Sequence, residues 1–221
     1  MAEVDVDRVR AVVFDLGGVF LEGGPDHVRS FGERHGLPAA AWDAIRAELF
    51  ISGDLWNRVE RAELALDAFA EELRARVAAH GVQISLDQAR NFMGTPGLDD
   101  RSRIRHEIVA ACRSLRACVT TALLTNNIRE WRHGWRQRLP VAELFDVVID
   151  SSEVGMRKPE PSIYRLMEER LGLPGSQVLF VDDLGVNLKT ARQRGWQTVK
   201  YDDTARVLGI LDAVLAAHRP K

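Results

Sequence analysis

Cysteine is nearly absent from this 221-residue chain, which has only Cys112 and Cys118. That excludes a disulfide framework, and neither thiol has a second Cys or a His at zinc-ligand spacing. Both read as packing residues. Net charge is missing as well: 30 Lys and Arg stand against 32 Asp and Glu, a formal −2. No basic run interleaves with aromatics, so nucleic acid is a poor partner. No stretch approaches the roughly 18 apolar residues of a membrane span. The charged segment Met1–Arg10 lacks the apolar centre of a signal peptide. These absences point away from a membrane and toward the cytoplasm. What is there, 46% hydrophobic and 28% charged residues, is an ordinary globular composition able to bury a full core.

Apolar runs at Val12–Phe14, Val119–Thr125, Phe145–Asp150, Val178–Val181 and Trp196–Lys200 read as strands. From residue 115 onward they alternate with helix patterns at Glu130–Leu139, Pro161–Leu171, Leu184–Arg194 and Thr204–Ala217. That alternation predicts an α/β fold, a Rossmann-like parallel sheet with helices on both faces. Between Pro25 and Phe92 no strand is apparent. Helices are predicted at His27–His35, Ala40–Phe50 and Ala62–His80, the last with Leu66, Phe69, Leu73 and Val77 on one face. This stretch reads as a helical domain inserted after the first strand, residues 21–97, with 1–20 and 98–221 forming the α/β core. Leu21–Pro25 and Gly94–Gly97 would be its connectors, and Asp99–Leu115 a helix returning to the core.

Chemistry-bearing residues collect at the predicted strand ends: Asp15, Thr125 with Asn126, Lys158, then Asp182 and Asp183. In a doubly wound sheet such ends meet in one crevice. Three carboxylates gathered there would repel one another, and an oxygen-ligated Mg²⁺ is the economical remedy. A carboxylate nucleophile, a hydroxyl and an ammonium for phosphate oxygens, and a metal site are together the parts of a phosphoryl-transfer centre. Each residue alone has a plainer reading. Asp15 could cap a turn, Thr125 and Asn126 could be loop residues, and Lys158-Pro159 could open a helix. A helix N-terminus could stabilise Asp182-Asp183. Trp131 and Trp135, four apart, read as one buried helical face, Trp56 as packing within the insertion, Arg101–Arg105 as a solvated helix face. The six histidines form no metal pair.

Four segments carry a resemblance: Val12-Val13-Phe14-Asp15-Leu16-Gly17-Gly18-Val19, Leu123-Leu124-Thr125-Asn126-Asn127, Gly155–Tyr164 around Arg157-Lys158-Pro159, and Phe180-Val181-Asp182-Asp183-Leu184-Gly185-Val186-Asn187. In this order they resemble the four motifs of the haloacid dehalogenase-like hydrolases, mostly Mg²⁺-dependent phosphatases. The subgroup with an Asp-Leu-Gly-Gly-Val first motif, which includes the phosphatase domain of soluble epoxide hydrolase, is the nearest in look. Gly53–Glu63 is similar to a pattern in the caps of that subgroup, with Ala62 where glycine is usual. The resemblance implies Asp15 as nucleophile and metal ligand, the Gly17 carbonyl as a second ligand, and Thr125, Asn126 and Lys158 as holders of the phosphoryl group. It implies direct metal contact for Asp183 and contact through water, or as the alternative ligand, for Asp182. The insertion would be the family's cap, closing over a small phosphorylated metabolite, in a monomer or homodimer.

One position departs from the pattern. Family phosphatases carry a second aspartate two residues after the nucleophile, and here Gly17 stands there. The expectation is a slow phosphatase of phosphoric monoesters or acyl phosphates, with Glu22 or a cap side chain as a substitute proton source. Competing readings are a phosphate-binding pseudo-enzyme or regulatory protein, and a metal-independent haloacid dehalogenase. A signalling receiver domain gathers similar residues, but its acidic pair comes first in the chain.

Overall fold

The computed structural model describes residues 4–22, 25–93 and 104–219. Five parallel strands, β1 (Ala11–Phe14), β2 (Thr120–Thr125), β3 (Val147–Asp150), β4 (Val178–Asp182) and β5 (Gln197–Lys200), lie in the order β3-β2-β1-β4-β5. Successive side chains alternate between faces, and the core shows it. Val12, Phe14, Leu123, Leu179 and Val181 enter one apolar cluster, while Val13, Ala122, Leu124, Phe180 and Val178 enter another. The first cluster is closed by α6 (His106–Leu115) and α12 (Thr204–His218) through Ile108, Cys112, Leu115, Leu211 and Val214. The second is closed by α10 (Pro161–Leu171) and α11 (Gly185–Gln193) through Ile163, Tyr164, Met167, Leu188 and Ala191. Helices therefore cover both faces. Cys112 is one of these packing residues, its thiol pushed up to about 12 by burial, and Cys118 is a free, half-buried thiol. No helix among the described residues is long and apolar enough to cross a membrane.

Between β1 and α6 the chain forms α1 (Pro25–Arg34), α2 (Ala39–Ala47), a π-turn over Glu48–Ser52, α3 (Leu55–Glu60), α4 (Leu66–Ala78) and α5 (Leu86–Arg90). Phe31, Trp42, Ile45, Trp56, Val59, Phe69, Leu73, Val77 and Phe92 bury a third core there, separate from the two on the sheet. Ile128 and Trp131, from the segment after β2, complete it.

Several predicted elements are corrected. The helix expected over Ala62–His80 begins only at Leu66, and α3 precedes it. The break is a Schellman turn: Glu63 N–H donates to the Arg58 carbonyl at 2.8 Å and Ala62 N–H to Val59 at 2.9 Å, with Ala62 at φ 58°. Helix α2 stops at Ala47, before the π-turn. Glu130–Leu139 divides into a 3₁₀ turn at Arg129–Trp131 and α7 (Arg132–Arg138). That division sends the two tryptophans to different cores, Trp131 to the insertion and Trp135 to the sheet. Short helices α8 (Val141–Leu144) and α9 (Ser151–Val154), like α3 and α5, were not anticipated. The helix expected from Asp99 begins at His106, and the connector Gly94–Gly97 lies outside the described residues. Arg105 is no solvated helix face: its guanidinium donates to the Gly18 and Val19 carbonyls at 2.6 and 3.1 Å and stacks 4.8 Å over Tyr201.

Candidate active site

Strand β1 is central, with β2 on one side and β4 on the other, so the chain's direction of winding reverses at its C-terminal end, which is where sheets of this kind take their ligands. Register aligns Phe14 with both Leu123 and Val181, which brings Asp15, Thr125 and Asp182 to the same sheet edge. Asp15 N–H still donates to the Val181 carbonyl at 2.9 Å, extending the ladder by one residue. Its side chain is fixed through Oδ1, which accepts from Leu16 N–H at 2.7 Å and from Lys158 Nζ at 2.8 Å.

Lys158 is 1% exposed and bridges two carboxylates, with Asp182 Oδ2 also 2.8 Å from its ammonium. Burial alone would lower its pKa. The charges of Asp15 and Asp182 outweigh that and raise it, so Lys158 is a cation at neutral pH.

Asp182 and Asp183 are adjacent yet differ. Asp182 is fully buried and its oxygens are taken: Asn187 Nδ2 donates to both at 3.0 and 3.1 Å, Leu184 N–H to Oδ1 at 2.7 Å, and Lys158 to Oδ2. Asp183 is half-buried, beside the backbone of Gly18. Gly18 has φ +74°, and a Cβ there would lie 2.4 Å from Asp183 Oδ2, so only glycine permits this approach. Asp15, Asp182 and Asp183 each place an oxygen within 4.8 Å of the others.

This arrangement holds more negative charge than Lys158 can offset. Burial foremost, with Asp182 and Asp183 adding, pushes the Asp15 carboxyl up to about 8, although Lys158 pulls against it. Burial and Asp182 likewise raise Asp183. A hard divalent cation matches both the all-oxygen donors and the surplus charge. With the oxygens of Asp182 engaged by protein donors and Asp15 Oδ1 held by Leu16 and Lys158, Asp15 Oδ2 and Asp183 are left to meet such an ion.

Thr125 is buried, its hydroxyl donating to the Asn126 carbonyl at 3.3 Å. Asn126 uses its carboxamide to grip the Lys158 peptide: Oδ1 accepts from Lys158 N–H at 2.8 Å and Nδ2 donates to the Lys158 carbonyl at 2.9 Å. Gly17 is exposed, and a Cβ built on it meets nothing within 4 Å. Glu22 lies 4.0 Å from Arg105 and is half exposed, an ordinary ion-paired carboxylate. Asp15, Gly17, Thr125, Asn126, Lys158, Asp182 and Asp183 are thus at this edge or beside it.

Two participants were missed. Asn187 lies in the first turn of α11, five residues beyond Asp182, and its place in the fourth segment was the available signal. Glu60 reaches the site's rim from α3, 97 residues before its partner Arg157, and its place in the Gly53–Glu63 segment was the available signal.

Residues 9–195 match the haloacid dehalogenase-like hydrolase family. The chain is 30% identical over 224 residues to bifunctional epoxide hydrolase 2 of Sus scrofa, covering 93% of this chain and 39% of that protein. It is 28% identical over 205 residues to N-acetylmuramic acid 6-phosphate phosphatase of Pseudomonas aeruginosa, covering 88% of this chain and 83% of that enzyme. The porcine protein and three other relatives matched at 30–36% identity are much longer than this chain, which spans 19–39% of their length. A family enzyme of Bacteroides thetaiotaomicron, solved with magnesium and inorganic phosphate, superposes with a TM-score of 0.62 at 20% identity, covering 90% of this chain and 98% of that one.

Proposed function

The chain belongs to the haloacid dehalogenase-like hydrolases, and within that family we propose that it is a Mg²⁺-dependent phosphatase of a small phosphorylated metabolite, working through an aspartyl phosphate on Asp15. The observation that carries this reading is the meeting of Asp15, Lys158 and Asp183 at one sheet edge, where the carboxylates outnumber the ammonium. The phosphatase named among its relatives and the magnesium and phosphate in the Bacteroides enzyme support it.

Asp15 and Asp183, with the Gly17 carbonyl, would hold the ion. When bound, Mg²⁺ offsets the charge of the carboxylates and of the substrate's phosphate. Asp15 attacks phosphorus with a carboxylate oxygen and the ester oxygen departs; water then cleaves the acyl phosphate and returns the carboxylate. Lys158 and the Thr125 hydroxyl hold phosphoryl oxygens as charge spreads over them. Asp182 orients Lys158 through its 2.8 Å ion pair, and Asn187 holds Asp182 in turn. Asn126, its carboxamide engaged with Lys158, contacts phosphate through its backbone N–H. Helices of the 21–97 insertion form a cap over the substrate.

With glycine at position 17, the leaving oxygen receives no proton from a neighbouring carboxyl. General acid help is worth about 10²–10⁴ in rate, so acyl and aryl phosphates, which leave unprotonated, are the favoured substrates. The missing carboxyl at position 17 also favours a second reading, a phosphate-binding protein with little turnover. Hydrolysis of acetyl phosphate and p-nitrophenyl phosphate with and without Mg²⁺ decides, with Asp15→Asn as control. Mg²⁺-dependent turnover lost in D15N supports the phosphatase; tight phosphate binding without turnover selects the second reading; halide release from a 2-haloacid without metal would select a dehalogenase.

A further inference from the structure

The end of α3 is built into the sheet domain at the loop that carries Lys158. A helix C-terminus leaves carbonyls without helical donors, and here the sheet domain supplies them. Ser151 Oγ donates to the Glu60 carbonyl at 2.8 Å and Arg129 to the Ala62 carbonyl at 3.0 Å. The two side chains at this end then grip the residues on either side of Lys158-Pro159. Glu60 accepts from Arg157 Nε at 2.5 Å, and Arg61 donates to Glu160 at 2.7 Å.

Glu60 is the deeper of the two. Only 8% exposed, it has every hydrogen bond of its carboxylate supplied from around it: Trp56 Nε1 at 3.0 Å on Oε1, with Arg157 and, at 3.4 Å, Asn126 Nδ2 on Oε2. Burial raises its pKa, against the pull of Arg157. A buried carboxylate is expensive unless satisfied, and a packing role alone would be met by an apolar residue. What its charge provides is a fixed acceptor for Asn126, whose carboxamide holds both polar groups of the Lys158 peptide. Its backbone reaches the same strand end a second way, because Ser151 Oγ also accepts from Asn127 N–H at 2.9 Å.

We propose that Glu60, a residue of the helical insertion, is a positioning residue for the phosphoryl site: it orients Asn126 and thereby the Lys158 backbone, coupling the seating of α3 to the placement of the ammonium. The inference rests on the reading of Lys158 as a phosphate holder, but its geometric half is testable without that reading.

Glu60→Gln preserves volume while removing the charge, and it must turn an amide N–H₂ toward a donor. Misplacing a catalytic group by about 1 Å can cost 10²-fold, so kcat for p-nitrophenyl phosphate is expected to fall about tenfold to a hundredfold. KM should not rise, because Arg157, released from its partner, adds positive charge near the anionic substrate. A residue acting through Asn126 gives a non-additive cycle: in the Asn126→Ala background, E60Q should bring little further loss. Amide hydrogen exchange supplies the readout independent of turnover, and in E60Q it should accelerate at Lys158. Faster exchange at Lys158 in a protein without phosphatase activity would uphold the coupling and refute the phosphatase. Unchanged exchange at Lys158, a kcat equal to wild type, or additive losses with N126A would each overturn the proposal, as would a lower Tm with unaltered kcat.

Discussion

Lys158 carries the electrostatics of the site, lying 2.8 Å from both Asp15 and Asp182. Removing one member of a buried ionic group while its partners stay typically costs about 3–5 kcal/mol. Lys158→Met should therefore lower Tm on the order of 10 °C in metal-free buffer, at about 2–4 °C per kcal/mol for a chain of this size. Mg²⁺ should raise Tm further in the variant than in wild type, since the ion then offsets charge that the ammonium no longer does. Thermal melts with and without Mg²⁺ check both signs. Gly17 offers the complementary gain. Nothing lies within 4 Å of a Cβ built there, so Gly17→Asp is accommodated. If proton supply limits the reaction, turnover of alkyl phosphates should rise by up to about 10²–10⁴ relative to acetyl phosphate. An unchanged ratio of the two rates would mean that another group already delivers the proton. The residues that could be read from the sequence, Asp15, Thr125, Lys158 and Asp182-Asp183, share a strand end or the loop beside one. Glu60 stood within the Gly53–Glu63 pattern, but its role was not legible, because that comes from Arg157 and Asn126, which only folding brings beside it.

At the scale of elements, Ala62 shows how local preference misleads. Alanine is the best helix former, so the sequence reads as a helix from Ala62 onward, yet the Schellman turn needs a left-handed residue at that position. A left-handed non-glycine residue costs about 1–2 kcal/mol, partly offset because glycine is freer when unfolded. Ala62→Gly should stabilise the protein by about 0.5–1 kcal/mol in urea unfolding, and a loss of stability would contradict the strain. The strands β1 and β4 were legible for the opposite reason: each is a buried run, apolar up to its end, with no competing period. Helix α3 was not, since six residues hold too few turns to show a face. Helix α10 is tied to the β5 region by Glu168, which accepts from Arg194 Nε at 3.0 Å and Trp196 Nε1 at 2.7 Å. Burial would raise Glu168, but these donors more than compensate and hold it below its usual 4.5. A depressed carboxylate stabilises above its unfolded pKa and loses that contribution as pH falls through the folded one. Glu168→Gln should thus melt below wild type at pH 7, and the gap should close as pH drops below about 4.5. A gap independent of pH would assign the effect to packing.

Across the whole molecule, two cores sandwich the sheet and a third fills the insertion, with Trp131 passing from the sheet domain into the insertion. The acidic edge is where this assembly holds a cost in reserve, because folding forces Asp15, Asp182 and Asp183 together whether or not a cation is present. Anything that binds the native state alone stabilises it by mass action, about 2.7 kcal/mol at a hundred times Kd. That corresponds to a Tm increase of about 5–11 °C on adding saturating Mg²⁺, reversed by chelation. The two neighbouring aspartates should respond differently when replaced. Asp183→Asn removes a carboxylate that burial and Asp182 make costly, so the metal-free protein should melt higher than wild type and the Mg²⁺ shift should vanish. Asp182→Asn removes the charge opposite Lys158 and replaces one of the oxygens that accept from Lys158, Leu184 and Asn187 with an N–H₂, so it should melt lower in either condition. A Mg²⁺ shift that survives in D183N would place the ion away from this edge, and equal behaviour of the two variants would refute the division of labour between them.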